Sequence, residues 1–217
     1  MHLIRKSTLM ALDFDNEYYS QGFESIVGLD EAGRGCLLGP VVAAAVVLPR
    51  DFSHPLINDS KKLTEKQREE AYKVIVEHAV AYAVGMCSPE EIDKMNILEA
   101  AREAFSRALN QIDLKKYDII ITDYMKLPKA KKEVVAIPHG DARSLSVAAA
   151  SIIAKVTRDH ICNTLEKEYP HFKISTHKGY GTKLHLEELE KYGPVKGLHR
   201  FSYKPVKAAT IQKVKLF

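Results

Sequence analysis

One apolar segment that ends in two acids and a small basic turn indicates both the fold and the chemistry of the chain: Ser25-Ile26-Val27-Gly28-Leu29-Asp30-Glu31-Ala32-Gly33-Arg34-Gly35. The apolar run predicts a buried strand. Carboxylates at a rigid strand end can hold hard divalent cations, which prefer oxygen ligands. The glycines let backbone N–H groups approach a polyanion, and the arginine adds charge-assisted hydrogen bonds. The stretch therefore predicts a metal site beside a phosphate-binding turn.

Outward from this stretch, short apolar runs alternate with capped helical segments. The sequence predicts strands over residues 25–31, 39–48, 79–86, 118–123 and 133–137. Helices are predicted after caps at Thr64, Ser88, Asn96 and Ser144, the last reaching about Tyr169. One hairpin followed by crossovers indicates a mixed sheet in a single α/β domain over 1–217. Residues 1–24 are expected to form a short helix or arm, and about 173–217 a basic C-terminal segment.

Charge is distributed unevenly along the 217 residues, whose formal net charge is +4. Residues 1–108 hold 12 Lys and Arg against 17 Asp and Glu, whereas residues 109–217 hold 20 against 11. The basic excess concentrates in 126–132 and 173–215, among tyrosines, histidines and glycines. This pattern fits a footprint for a phosphate backbone, and a solvated lysine-rich surface would have the same composition.

Composition also limits the class of protein. A hydrophobic content of 46% indicates a globular protein with a full core. No apolar run approaches the roughly 20 residues of a membrane span, and the N-terminus lacks a signal-peptide pattern, so we expect a cytoplasmic protein. Cys36, Cys87 and Cys162 are odd in number and widely separated, so we expect reduced, mostly buried thiols. A monomer is the expected state.

Four acids stand beside the predicted elements: Asp30, Glu31, Asp123 and Asp141. Three follow apolar strand-like runs, and the fourth precedes a helix. A single aspartate in such a place commonly only forms a turn, so the prediction depends on the four together. Strand ends in an open sheet converge on one edge, where ligands bind. Two divalent cations about 3.5–4 Å apart need several carboxylates, and they can activate a water and stabilise a leaving oxygen during attack on phosphorus.

Asp30 and Glu31 impose a geometric requirement on this prediction. Adjacent residues on a regular strand point to opposite faces of the sheet. We therefore expect the backbone to bend there if both acids are to serve one site, and Ala32-Gly33 makes such a bend possible.

Other motifs are rejected or weakly supported. The run from Gly33 to Gly39 resembles a dinucleotide-binding turn, but its last two glycines are one residue too far apart and Pro40 opposes the required helix. The chain also has no Gly-Lys-Ser/Thr phosphate loop. His177 and His185 lack zinc spacing, so most histidines are predicted to be structural or on the surface. Ser151 is predicted to be a small helix-packing residue rather than a nucleophile.

Several separated blocks resemble the bacterial type 2 ribonuclease H family, ribonuclease HII. These blocks are Asp30–Gly35 (Asp-Glu-Ala-Gly-Arg-Gly), Asn58–Leu63 (Asn-Asp-Ser-Lys-Lys-Leu), Ala149–Lys155 (Ala-Ala-Ser-Ile-Ile-Ala-Lys), His177–Thr182 (His-Lys-Gly-Tyr-Gly-Thr) and His199–Ser202 (His-Arg-Phe-Ser). They occur in the expected order, and the match spans about residues 25–206.

This resemblance implies an α/β ribonuclease H-like fold, a mixed five-stranded sheet flanked by helices, with a helical C-terminal segment. It implies endonucleolytic hydrolysis of RNA in RNA–DNA hybrids and at ribonucleotides embedded in duplex DNA, which is a step of ribonucleotide excision repair. Cleavage is 5′ to the ribonucleotide and leaves a 5′-phosphate and a 3′-hydroxyl. The four-carboxylate site of the family maps onto Asp30, Glu31, Asp123 and Asp141, with two Mg²⁺ or Mn²⁺ ions. The family usually has glycine after the third acid, where this chain has Tyr124.

The resemblance also implies how the substrate is read. Gly33, Arg34 and Gly35 would contact the ribonucleotide 2′-hydroxyl through backbone groups, and Tyr180 would pack on the adjoining deoxyribose. The 2′-hydroxyl is the group that separates RNA from DNA locally. Three lysines are further expected to contact phosphates, although each would also suit a solvated surface: Lys61, Lys62 and Lys178.

Alternative functions remain open at this point. A DNA resolvase or transposase of the same superfamily would share the acidic chemistry, and a noncatalytic hybrid-binding protein would share the basic surface. The tail from Gln212 to Phe217 is faintly similar to a sliding-clamp-binding tail, because an exposed Leu-Phe end can fill an apolar pocket. A plain helix terminus is the simpler interpretation of that tail.

Overall fold

The computed structural model of the chain describes residues 6–57 and 63–214, with side chains for 13–57 and 63–211. Its strands are β1 (Ile26–Ala32), β2 (Val41–Val47), β3 (Ala81–Cys87), β4 (Ile119–Asp123) and β5 (Glu133–Ile137). Its α-helices are α1 (Lys6–Ser20), α2 (Glu65–His78), α3 (Pro89–Met95), α4 (Ile97–Leu109), α5 (Gly140–Arg143), α6 (Leu145–Glu168), α7 (Ile174–His177), α8 (Lys183–Tyr192) and α9 (Lys204–Val214). The strands and caps predicted from the sequence are confirmed within about two residues.

The five strands form one mixed sheet in the order β3-β2-β1-β4-β5. β1 and β3 pair antiparallel with β2, whereas β4 pairs parallel with both β1 and β5. A short glycine-containing turn suffices for the antiparallel hairpin of β1 and β2, whereas helices lie on the path from β1 to its parallel neighbour β4. The parallel strands β4 and β5 are joined by residues 124–132, which contain no helix. Because β1 and β4 run in the same direction, their carboxyl ends meet at one edge. The mixed α/β sheet is therefore confirmed, and it brings the two acidic strand ends together.

Helices cover both faces of the sheet. On one face α4 packs Ala101, Phe105 and Ala108 against β1, β2 and β3. On the other face α6 crosses β1 and β2, with α2 packed beside it. The contact of α6 with β1 is very close, because a Cβ added at Gly28 would lie 2.1 Å from the carbonyl carbon of Ser146. Glycine at this position therefore sets how near the long helix lies to the strand that carries Asp30.

The N-terminal segment forms helix α1, as the sequence allowed, and it docks on the start of α6. Asp15 of α1 is buried and accepts hydrogen bonds from the backbone N–H of Ser146 at 3.0 Å and from its hydroxyl at 2.9 Å. Burial raises the pKa of Asp15 to about 6, although the hydrogen bonds oppose the shift. The contact ties α1 to the helix that crosses the acidic strand.

The three cysteines agree with the expectation that they are unpaired and mostly buried. Cys36, Cys87 and Cys162 are free and buried. Within residues 6–57 and 63–214, no helix is long and apolar enough to cross a membrane.

Candidate active site

Three of the four predicted acids line one cavity at the carboxyl edge of β1 and β4. The cavity has a volume of about 310 Å³. Its wall contains Asp30 and Glu31 from β1 and Asp123 from β4. The remaining lining residues are Ala32, Gly33, Arg34, Gly35, Arg68, Ser151, Lys155 and Tyr180. The sheet thus brings the acids, the glycine turn and Tyr180 to one site, as expected from the strand ends.

Asp30 and Glu31 reach this cavity without the bend that the sequence led us to expect between them. β1 stays paired with β2 through Ala32, and the chain turns only at Gly33, whose φ is +96°. The side chain of Asp30 folds back instead, so that its Oδ1 accepts from the backbone N–H of Glu31 at 2.8 Å. The site lies at the end of the strand rather than on one face, so neighbouring residues can both contribute.

The buried carboxylates of Asp30 and Glu31 would be stabilised by nearby positive charge. Burial, followed by repulsion from Glu31, raises the pKa of Asp30 well above its usual range, although a hydrogen bond from Ser151 opposes the shift. Burial also raises the pKa of Glu31, and Arg34, 3.2 Å away, opposes that rise. The Oε2 atom of Glu31 is buried without a hydrogen-bond partner among the described residues. Buried carboxylates that repel one another suit divalent cations, which would neutralise them.

The acids are not yet arranged as a finished metal site. Among the described residues, no three His, Cys, Asp or Glu side chains surround a common point as ligands. Mutual repulsion favours this separation in the absence of positive charge, and Arg34 takes one oxygen of Glu31. The donor set fits Mg²⁺ or Mn²⁺ in its chemistry, because every candidate ligand is a carboxylate.

Asp141 lies beside the cavity but does not line it. It is buried at the second residue of α5. The preceding residue, Gly140, donates its backbone N–H to Oδ1 of Asp123 at 2.9 Å. The fourth acid is therefore linked to the third through a backbone hydrogen bond, and its role as a metal ligand stays a prediction.

Two buried arginines hold the turn that follows β1. Arg158 donates to the carbonyls of Pro40, Lys178 and Leu38 at 3.2, 2.7 and 3.1 Å. Its Nε would lie 2.1 Å from a Cβ at Gly33, so this position requires glycine for space as well as for its positive φ. The arginine therefore ties the turn to the segment that carries Tyr180.

Arg200 supports the same turn from the C-terminal segment. It donates to the carbonyls of Gly39 and Arg34 at 3.0 and 3.1 Å. The hydroxyl of Tyr203 also donates to the Arg34 carbonyl, at 2.6 Å. The carbonyl groups of this region are thus bound inside the protein, while the turn itself lines the cavity. A rigid backbone of this kind can present N–H groups to a ligand without reorganisation.

Three buried histidines near the backbone of Tyr180 form two hydrogen-bonded groups. Nδ1 of His185 bonds to the carbonyl of Tyr180 at 3.0 Å, and its Nε2 lies 3.3 Å from Nε2 of His199. His177 accepts from the backbone N–H of Gly179 at 3.0 Å, and its Nε2 lies 3.1 Å from Glu188. One donor and one acceptor for each ring satisfy all three as neutral imidazoles. Burial is the main cause that lowers the pKa of His177 and His185 to about 4 and that of His199 to about 3.

The lowered pKa values of these histidines predict that acid lowers the free energy of unfolding. Each folded-state pKa lies below the usual 6.5. The unfolded chain therefore binds more protons than the native protein as the pH falls from about 6.5 to 4, and the free energy of unfolding falls with it, by up to about 1.4 kcal/mol per pH unit for each ring. Urea denaturation across this interval should show that His199→Gln loses less stability on acidification than the wild type, by up to about 1.4 kcal/mol per pH unit. A pH dependence of His199→Gln equal to that of the wild type would contradict the assignment.

Comparisons with known proteins agree with this geometry. The family model described as Ribonuclease HII matches residues 27–206. The chain belongs to the ribonuclease HII family. A ribonuclease HII of Alkaliphilus metalliredigens is 47% identical over 197 residues, covering 88% of this chain and 96% of the relative. The ribonuclease HII of Acholeplasma laidlawii is 46% identical over 199 residues, covering 92% of this chain and 96% of the relative.

Solved structures support the same family assignment. The ribonuclease H2 of Pyrococcus horikoshii OT3 has a TM-score of 0.75 at 29% identity, over 88% of this chain and 99% of that one. The ribonuclease HII of Archaeoglobus fulgidus, solved in complex with PCNA, has a TM-score of 0.68 at 28% identity, over 81% of this chain and 92% of that one. The ribonuclease H-like fold and a ribonuclease H endonuclease activity follow from this membership.

The cavity wall contains three side chains that sequence reasoning did not assign to the site. Ser151 hydrogen-bonds to Asp30, so it does more than pack the helix. Lys155 lies one turn further along α6 and binds Asp159 at 2.7 Å. Arg68 of α2 reaches the cavity while donating to the carbonyl of Leu63 at 2.6 Å. A spacing of four residues between the first two on one helix was the available signal, since it puts them on the same face.

The predicted lysine contacts have different outcomes. Lys61 and Lys62 lie outside the described residues. Lys178 is not among the lining residues, and its ammonium lies 3.2 Å from Asn163 and 3.6 Å from Glu65. Its backbone carbonyl instead accepts from Arg158, which supports the glycine turn. A phosphate contact by Lys178 stays a prediction, and it would require the side chain to leave these partners.

Proposed function

We propose that this member of the ribonuclease HII family cleaves the phosphodiester on the 5′ side of a ribonucleotide within duplex DNA or an RNA–DNA hybrid, leaving a 5′-phosphate and a 3′-hydroxyl. One observation carries the proposal: Asp30, Glu31 and Asp123 share a cavity with the glycine turn and Tyr180. A metal-binding edge and a sugar-reading edge are therefore adjacent. A single ribonucleotide could contact both edges, since the cleaved phosphate on its O5′ and its 2′-hydroxyl belong to the same nucleotide.

Asp30, Glu31, Asp123 and Asp141 would hold two Mg²⁺ or Mn²⁺ ions. When bound, such ions supply an activated water and stabilise the leaving oxygen. The chain itself prepares the site by burial, which removes water from Asp30 and Glu31 and raises the pKa of both carboxyls. Ser151 and the N–H of Glu31 orient Asp30, and the N–H of Gly140 orients Asp123.

The turn at Gly33, Arg34 and Gly35 would recognise the ribose through its 2′-hydroxyl. The carbonyl of Arg34 accepts from the buried Arg200, and that of Gly33 accepts from the N–H of Cys36, which supports a role for the N–H groups of the turn toward the 2′-hydroxyl. Arg68 and Lys155 in the same wall are suitable partners for the flanking phosphates, as are Lys61 and Lys62. A cation beside each phosphate would position the strand without reading its sequence.

A cleavage assay tests the proposal. The substrates are matched duplexes with one ribonucleotide, with a hybrid segment, or with DNA alone, each with and without Mg²⁺. We expect cut products with a 5′-phosphate on the first two, only when Mg²⁺ is present. Cleavage of the all-DNA duplex at a similar rate would favour the resolvase or transposase alternative. Binding of the hybrid without Mg²⁺-dependent cleavage would favour the noncatalytic alternative.

Tyr180 offers a test of sugar recognition. Tyr180 is 46% exposed and lines the cavity, while its backbone carbonyl is bound by His185. Loss of an aromatic face that packs on a sugar or base costs about 1–3 kcal/mol. Tyr180→Ala should therefore lower kcat/KM on a single-ribonucleotide duplex by about 10- to 100-fold, with the melting temperature little changed. Tyr180→Phe keeps the ring and should stay close to wild type; equal activity of the alanine variant would argue against the contact.

A sliding clamp is a candidate partner. The Archaeoglobus fulgidus relative was solved in complex with PCNA. The tail Gln212–Phe217 of this chain ends in Leu-Phe, which could fill an apolar pocket. Deletion of residues 212–217 should abolish clamp binding measured by surface plasmon resonance without altering cleavage, and unchanged clamp affinity would remove the idea.

A further inference from the structure

Tyr124 departs from the rest of the molecule in two ways. The residue is 74% exposed, more than any other large hydrophobic residue whose side chain is described. Its φ is +61°, a left-handed conformation that is uncommon for a bulky residue and is usually taken by glycine. A strained, exposed aromatic next to Asp123 is a reason to look for a function, because such strain is retained where the surroundings enforce it.

The surroundings do enforce this conformation. The backbone N–H of Tyr124 donates to the carbonyl of Ile137 at 2.8 Å, and that of Met125 donates to the carbonyl of Asp123 at 2.7 Å. The hydroxyl of Thr122 donates to the carbonyl of Met125 at 2.6 Å, and the Met125 side chain is buried. The turn is closed on both sides, so the ring is held in solvent by a fixed backbone rather than by a loose loop.

The position of β4 in the sheet places Tyr124 on the side of the acids that lies away from the glycine turn. β4 lies on one side of β1, and β2 lies on the other. The glycine turn leads into β2, and Tyr180 adjoins it, since the N–H of Leu37 donates to the carbonyl of Gly179. Along this edge the order is therefore Tyr180 with the glycine turn, then the acids, then Tyr124. The two exposed tyrosines stand at opposite ends of the acidic site.

We infer that Tyr124 stacks on a nucleotide on the 5′ side of the cleaved phosphate. The inference rests on the proposed function, in which the phosphate lies at the acids and the ribose to its 3′ side lies at the glycine turn. The strand then runs 5′ to 3′ from the acids to the turn, and its 5′ extension passes the end of β4. An aromatic face stacks on any base, so the contact is independent of sequence. Lys126 and His139, both exposed, flank the same end.

A fluorescence experiment reads this contact directly. The chain has no tryptophan, so Tyr124→Trp introduces a single reporter. Titration with ribonucleotide-containing duplexes in the absence of divalent metal should quench its emission. Shortening the duplex base pair by base pair on the 5′ side should abolish the quenching, whereas shortening the 3′ side to the same length should leave it. Emission that does not respond to any duplex, or that responds only to the 3′ arm, would overturn the inference.

Kinetics separate this role from a structural one. Tyr124→Gly removes the ring and suits the positive φ, so it should melt at or above the wild-type temperature. Its kcat/KM on a duplex with a long 5′ arm should fall by about 10- to 100-fold, mainly through KM, and should no longer depend on 5′ arm length. Tyr124→Phe should behave as wild type. Equal kcat/KM values for Tyr124→Gly and the wild type would overturn the inference. Failure of the wild type to cleave at a ribonucleotide would instead overturn the proposed function. The fluorescence result would then decide whether Tyr124 contacts the duplex.

Discussion

Replacement of Asp30 with asparagine is expected to lower cleavage at a ribonucleotide by about a thousandfold or more. The proposed metal site loses one of its central negative charges, and charge stabilisation by metal ions is worth several kcal/mol, with each 1.36 kcal/mol a factor of ten. Asparagine has nearly the same shape as aspartate. Its side-chain oxygen can still accept from the N–H of Glu31, which Asp30 does at 2.8 Å.

The Asp30→Asn substitution should not lower the free energy of unfolding. Burial and the neighbouring Glu31 raise the pKa of Asp30, which means that the charged carboxylate is held at a cost in the metal-free protein. A neutral amide removes that cost, so the melting temperature of Asp30→Asn in EDTA should equal or exceed that of the wild type. Loss of activity with a retained or raised melting temperature separates a role in the site from a general defect in folding.

The measurement is single-turnover cleavage of a duplex with one ribonucleotide, with binding to the same duplex followed by fluorescence anisotropy. Binding should stay within about threefold of wild type, because the basic contacts lie on other residues. Asp51→Asn is the matched control, since it makes the same chemical change at an exposed position. Turnover of Asp30→Asn near the wild-type rate would refute the assignment of Asp30 to the metal site.

The fold was predictable from the sequence because its signals are local. Caps at Thr64, Ser88 and Asn96 precede helices α2, α3 and α4 as expected, each with a side-chain hydrogen bond to the first turn. Buried runs such as residues 119–123 became strands. The mixed character of the sheet followed from one short turn and later long connections. These features depend on neighbours in the chain, which a sequence shows directly.

The support of the site was not predictable, since it depends on contacts between distant residues. Arg158 and Arg200 hold carbonyls of the segment 34–40 from more than a hundred residues away. In the sequence they are two arginines among many basic residues. Ser151 likewise becomes a partner of Asp30 only when α6 crosses β1. Long-range packing of this kind follows from the assembled sheet and has no periodic signature.

Sequence periodicity also misjudged the relation of Asp30 to Glu31. The alternation of side chains along a strand is sound for residues inside a sheet. The ladder of β1 with β4 ends at Leu29 and Thr122, so the cavity opens beside Asp30 and Glu31 while both remain paired with β2 in a regular strand. The alternation of side chains between the two faces therefore does not separate neighbouring residues at a strand end, and strand ends are where sites in open sheets form.

Gly28→Ala is expected to destabilise the protein severely. Gly28 is the glycine within β1, and it lies against α6 rather than in the cavity wall. A Cβ at Gly28 would lie 2.1, 2.2 and 2.4 Å from the carbonyl carbon and oxygen of Ser146 and the nitrogen of Val147. These are backbone atoms at the start of α6, so no side chain can rotate away. Overpacking of this severity costs about 3 kcal/mol, which corresponds to a melting temperature lower by about 6–12 °C.

Gly35→Ala is the matched control for stability. A Cβ there meets no atom within 4 Å, so its melting temperature should stay within about 1 °C of wild type. Gly28→Ala should in addition lower cleavage under conditions where it remains folded, because relief of the clash moves α6, and α6 carries Ser151 and Lys155 to the cavity wall. Thermal denaturation and cleavage assays check the two effects. A Gly28→Ala variant that melts with the wild type would mean that α6 does not rest on β1 at this glycine, and the distance between the long helix and Asp30 would then have another cause.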